Sequence, residues 1–122
     1  MKDISDTLEY KGQKYPVIFN INVLEALQEE YGTFNAWLNK IYSEDENDKD
    51  FEPDVKAIKF AYFKMINEGI RIENKTANEK REFLDKEDVG EIISELGLRT
   101  AFRKLNDLTR ESNQPGEDSK NA

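Results

Sequence analysis

The chain contains no cysteine and no histidine. Without cysteine there is no disulfide framework, no thiolate metal site and no thiol nucleophile. Without histidine the commonest general base and the commonest metal ligand are both missing, which leaves carboxylates, lysines, tyrosines and hydroxyls for any chemistry. Long hydrophobic runs are absent too: no segment approaches the ~18 apolar residues of a membrane span, and Met1 to Thr7 has no apolar stretch of signal-peptide length. These absences predict a protein that stays in the compartment where it is made and contacts no membrane. Positive charge is also short, with 18 basic against 26 acidic residues and a formal net charge of -8. A field of that sign repels the phosphate backbone and disfavours nucleic-acid partners. The last helix does gather Arg99, Arg103, Lys104 and Arg110, but Asp107 and Glu111 share it and no aromatic residues interleave the charges as a stacking platform requires, so it reads as a solvated face.

What is present suits one small folded unit. Hydrophobic residues make up 37% and charged residues 36% of 122 positions, enough apolar material for a modest core. Seven Phe, five Tyr and one Trp argue against wholesale disorder, because large rings bury area efficiently in a short chain.

Gly12 sits between two short runs, Asp6 to Tyr10 and Lys14 to Ile21, and the second alternates Tyr15, Val17, Phe19 and Ile21 on one face, which predicts a β-hairpin. Pro16 lacks a ladder donor and belongs at an edge or a strand start. Asn22 is placed to cap a helix to about Tyr31 with Val23, Leu24, Leu27 and Tyr31 inward, ended by Gly32. Thr33 caps a second, on which Phe34, Trp37, Leu38, Ile41 and Tyr42 share one stripe. Residues 43–54 turn acidic and lose periodicity, as a surface loop does.

A third helix from Asp54 to Glu68 puts Val55, Ile58, Tyr62, Met65 and Ile66 on one stripe and Phe60 and Phe63 away from it, with Gly69 as its stop and Ile70 to Glu73 extended. Such a helix is either a central one sandwiched by neighbours or the carrier of a partner-binding patch at Phe60 and Phe63. Trp37 carries the same pair of alternatives, core packing or interface anchor. Asp85 with Asp88 opens a fourth helix bearing Val89, Ile92, Ile93 and Leu96; Gly97 ends it. Leu98, Phe102, Leu105 and Leu108 line a fifth helix, and the polar stretch 113–122 is expected to be a disordered tail. The fold class is therefore mainly α, an N-terminal β-hairpin followed by about five helices in a small single-domain bundle spanning 1–112.

No motif carries chemistry. The acidic run fails as a calcium loop: counted from Asp45, Lys49 falls at the fifth position, Asp50 where the turning glycine belongs and Lys56 at the twelfth. Glu29 and Glu30 point outward, and Asp85 and Asp88 suit a helix start. There is no glycine-rich phosphate loop, no Ser-His-Asp set and no dinucleotide fingerprint. The expectation is a protein that binds another protein, with no catalytic, cofactor or metal residues and with Phe60, Phe63 and Trp37 as candidate partner contacts.

The order of elements resembles the tail assembly chaperone family of long-tailed phages and prophages. Three stretches carry the resemblance: the hairpin and capped helix from Tyr10 to Gly32, the middle helix ending in Asn67-Glu68-Gly69-Ile70, and the segment from Phe83 to Ile93. Together they span most of residues 8–109. The resemblance implies a small acidic protein of the bacterial cytoplasm. It would bind the tape-measure protein, keep that protein's long apolar helices in solution, help recruit tail-tube subunits, and form homo-oligomers. It implies no catalytic residues. The acidic loop 43–54 departs from the family pattern. A small acidic adaptor or regulatory protein-binding module is the alternative.

Overall fold

The computed structural model describes residues 3–45 and 47–112. Two strands, β1 (Ile4–Tyr10) and β2 (Gln13–Phe19), are followed by five helices, α1 (Ile21–Tyr31), α2 (Phe34–Ile41), α3 (Val55–Asn74), α4 (Lys86–Leu96) and α5 (Leu98–Ser112). The expected hairpin plus five helices is therefore the observed architecture. The strands pair antiparallel from Ile4 opposite Phe19 to Tyr10 opposite Gln13. That register leaves Lys11 and Gly12 as a two-residue turn, both at positive φ (50° and 76°), the turn whose twist matches a hairpin and whose second position glycine occupies without strain. The second strand is shorter than its alternation suggested. Val17 and Phe19 are buried, but Ile21 already belongs to α1 and is 60% exposed.

All seven elements contribute to one core, and α3 runs through its middle. Ala57, Ile58, Ala61, Tyr62, Met65, Ile66 and Ile70 are fully buried, a helical i, i+3, i+4 pattern broad enough to meet neighbours on several sides. Trp37 is 0% exposed and its indole N–H donates to Ala57 O at 3.1 Å, so the ring is buried and its one polar atom is satisfied. Tyr62 is likewise buried, its hydroxyl donating to Ala101 O at 2.6 Å; burial pushes its pKa up.

Three further features differ from the sequence expectation. The helix α3 does not stop at Glu68: it continues through Gly69 to Asn74, and Ile70 to Glu73 is helical, not extended. The cap of α1 is Asn20, whose Oδ1 accepts from the N–H groups of Asn22 and Val23, while Asn22 lies inside the helix. Leu98, placed on the inner face of α5, is 45% exposed; Ala101, Leu105 and Leu108 make that face instead. The predicted caps at Thr33 and Asp85 are present, the latter as a full capping box with Asp88. Asp85→Ala should therefore lower the unfolding free energy by about 1 kcal/mol, read as a shift in the urea midpoint at constant slope.

Between α3 and α4 the chain runs back along α3, held by two asparagines seven residues apart. Asn67 donates to Leu84 O and accepts from Leu84 N, both at 2.9 Å, and Asn74 does the same with Arg81 at 2.9 Å each way. Each amide thus satisfies a backbone donor and acceptor that no strand partner reaches. In the acidic segment the described residues are mostly exposed, and Asp54 N donates to Lys40 O at 2.8 Å to close its base. The predicted tail at 113–122 lies outside the described residues.

Candidate partner-binding surface

The three aromatic candidates separate into two environments. Trp37 is core and offers no surface. Phe60 and Phe63 are half-buried on α3, and Tyr31 meets Phe60 edge-on with centroids 5.8 Å apart. Two ammonium groups lie over both rings: Lys64 at 5.7 and 5.5 Å and Lys86 at 5.9 and 5.7 Å from the centroids of Phe60 and Phe63. The rings thus lie in cation–π contact with two ammonium groups and do not form a bare apolar patch. Nearby, Phe83 is 59% exposed and borders a recess of about 300 Å³ together with Lys64, Asn67 and Arg71.

One wall of that recess is a polar cluster around the buried Glu68 that the sequence did not announce. Glu68 Oε2 accepts from the side-chain amides of Asn20 and Asn22, each at 2.7 Å, and Arg71 binds the carboxylate through Nε at 2.7 Å and an Nη at 3.0 Å. The Arg71 hydrogen bond, opposed by burial and aided by the two asparagines, holds the carboxyl at a pKa of about 2. A carboxylate kept ionised by four donors is a fastening between α1 and α3, and its shift runs opposite to that of a general acid.

A larger opening lies elsewhere. A groove of about 820 Å³ runs between the hairpin tip, the start of α3 and the length of α4. Its apolar surface comes from Val55, Ile93 and Leu98, and Gly90 keeps α4 low where Lys59 crosses it, that side chain's Cδ standing 3.5 Å from where a glycine Cβ would be. Tyr10 closes one side, its hydroxyl donating to Glu91 Oε2 at 3.3 Å. Val55 is 51% and Leu98 45% exposed, two large aliphatic side chains held at the rim by the first residues of two helices.

No protein-family model, no curated protein and no solved structure matches this chain.

The surfaces of the chain itself are then what bear on function. Val55 and Leu98 fit helical stripes in the sequence and so read as core; only the packing leaves them outside it. The signal that could have found them is position, because each sits in the first turn after a cap or a break, where a stripe begins before the neighbouring helix covers it. Among the described residues no group of three acidic side chains is arranged to hold a metal ion, and no helix is long and apolar enough to cross a membrane.

Proposed function

We propose that the protein is a protein-binding chaperone of the phage tail-assembly type, which holds segments of a long helical client, the tape-measure protein, in solution and helps bring tail-tube subunits to it. The observation that carries this reading is the groove with Val55 and Leu98 exposed at its rim, because a concave site with aliphatic side chains on two separate helices is what an amphipathic helix docks into. The order of hairpin and helices supports the family assignment, and the net charge of -8 suits a carrier that must keep an apolar complex soluble.

Co-expression with the client, followed by sizing with light scattering, tests it. Several copies should be found on a client that is insoluble alone. The double variant Val55→Ser with Leu98→Ser should weaken the association about thirtyfold, since each side chain loses roughly 1 kcal/mol of further burial. Both side chains are about half exposed, so the fold should survive the change, and a thermal melt separates the two effects. A groove of this kind also suits an adaptor that binds one folded partner, and a fixed one-to-one complex with no effect on client solubility would favour that alternative.

A further inference from the structure

The walls of the groove differ in charge. Along one of them α4 presents Glu87, Glu91 and Glu95, four residues apart, so three carboxylates line about 12 Å of its length. On a free helix this arrangement is unfavourable, because like charges at that spacing repel one another. Glu95 in addition lies in the last turn, at the negative end of the helix dipole, and that turn holds no basic residue. Among the described residues none of the three forms an ion pair. Lys11 lies close enough to interact with Glu91 and Glu95, and Lys59 reaches along Gly90, which leaves the wall net negative beside an apolar floor.

We infer that the groove takes an amphipathic helix of another protein that sets apolar side chains on Val55, Ile93 and Leu98 and turns a row of Lys or Arg, spaced four residues apart, toward α4. This rests on the groove being the binding site. Charge complementarity selects the occupant: cations on that flank relieve the repulsion within α4 and the unfavourable placement of Glu95 together. Neither the stretch 113–122 nor the described part of α5 supplies such a segment. The stretch 113–122 has no large apolar side chain, and beyond Leu98 the exposed positions of α5, namely Arg99, Arg103, Asp107 and Arg110, are all charged, so α5 of a second copy would bring cations without an apolar face.

Two designed helical peptides test this on the full chain by fluorescence anisotropy, sharing one apolar stripe and carrying either Lys or Glu at three flank positions. The Lys peptide should bind at least about tenfold more tightly, at roughly twofold per exposed ion pair and with added repulsion for the Glu peptide. The combined variant Glu87→Gln, Glu91→Gln and Glu95→Gln should lose about tenfold for the Lys peptide while melting no lower than wild type. Equal affinity for both peptides, still lost in the Val55→Ser, Leu98→Ser variant, overturns the basic partner and leaves the groove standing. Binding that this double variant does not change overturns the groove itself. Absence of binding, with a concentration-dependent dimer that the double variant abolishes, overturns the inference in favour of a second copy.

Discussion

Gly69→Ala is expected to destabilise the protein by about 2 kcal/mol, although alanine is the better helix former by about 1 kcal/mol. Gly69 lies inside α3, and a Cβ built there would stand 2.7 Å from Pro16 Cβ, 2.8 Å from Pro16 Cγ and 3.0 Å from Pro16 O. Neither the proline ring nor its carbonyl can swing aside as a flexible chain end would, so relief requires the hairpin and α3 to move apart. Their interface is the most extensive between non-adjacent elements, and a shift there propagates to Val17 and Phe19. Gly90→Ala on α4 provides the control. A Cβ there meets only the Lys59 side chain, at 3.5 Å for Cδ and 3.9 Å for Nζ, so the propensity gain should survive as roughly 0.5 kcal/mol of added stability. Urea titration of the two variants reads opposite signs if the close approach at Pro16 is real, and equal gains if it is not.

Asn20→Asp should cost about 3 kcal/mol at neutral pH even though aspartate caps helices as well as asparagine does. The amide of Asn20 works in two directions: Oδ1 caps α1, while Nδ2 donates to Glu68 at 2.7 Å. Aspartate keeps the first bond and replaces the second with a buried contact between two carboxylates. The pH dependence separates this from a simple loss of capping. In the wild-type protein Glu68 has its folded-state pKa lowered from 4.5 to about 2, so its contribution is fully present above about pH 4.5 and is lost as the pH falls toward 2. In the variant, acidification lets a proton sit between the two carboxyls and relieves the repulsion. The stability difference should therefore narrow steadily below about pH 4.5, as followed by urea unfolding at several pH values; a difference that stays constant would mean that the cap alone was affected.

These two residues also mark where the sequence was legible and where it was not. The helices α2 and α4 were readable because cap and stripe agree, with a glycine stop as well in α4: Thr33 before Phe34, and Asp85 with Asp88 ahead of Val89, Ile92 and Ile93 and then Gly97. The hairpin was readable from Gly12 and the alternation after it. The end of α3 was not, because glycine has two uses, helix termination and close packing, and the second depends on Pro16, more than fifty positions away. Asn20 and Asn22 compete locally for the same cap; what assigns Asn20 to capping and frees Asn22 for Glu68 is the position of α3, which local pattern does not contain. The groove was hidden for a related reason. Val55, Ile93 and Leu98 each belong to a regular apolar stripe, and periodicity says that a face is apolar without saying whether a neighbour covers it. Trp37 and the pair Phe60 and Phe63 drew attention as large rings, yet packing places the first in the core and shields the other two with Lys64 and Lys86.

The most direct test of the partner-binding account is a chemical-shift titration of the labelled full chain with a soluble helical segment of the client. The account predicts that the perturbed resonances cluster at Tyr10, Val55, Gly90, Ile93 and Leu98, with Glu87, Glu91 and Glu95 following when the segment is basic. Perturbations centred on Phe60, Phe63 and Phe83, with Val55 and Leu98 unmoved, would contradict it and move the binding site to the aromatic side of α3.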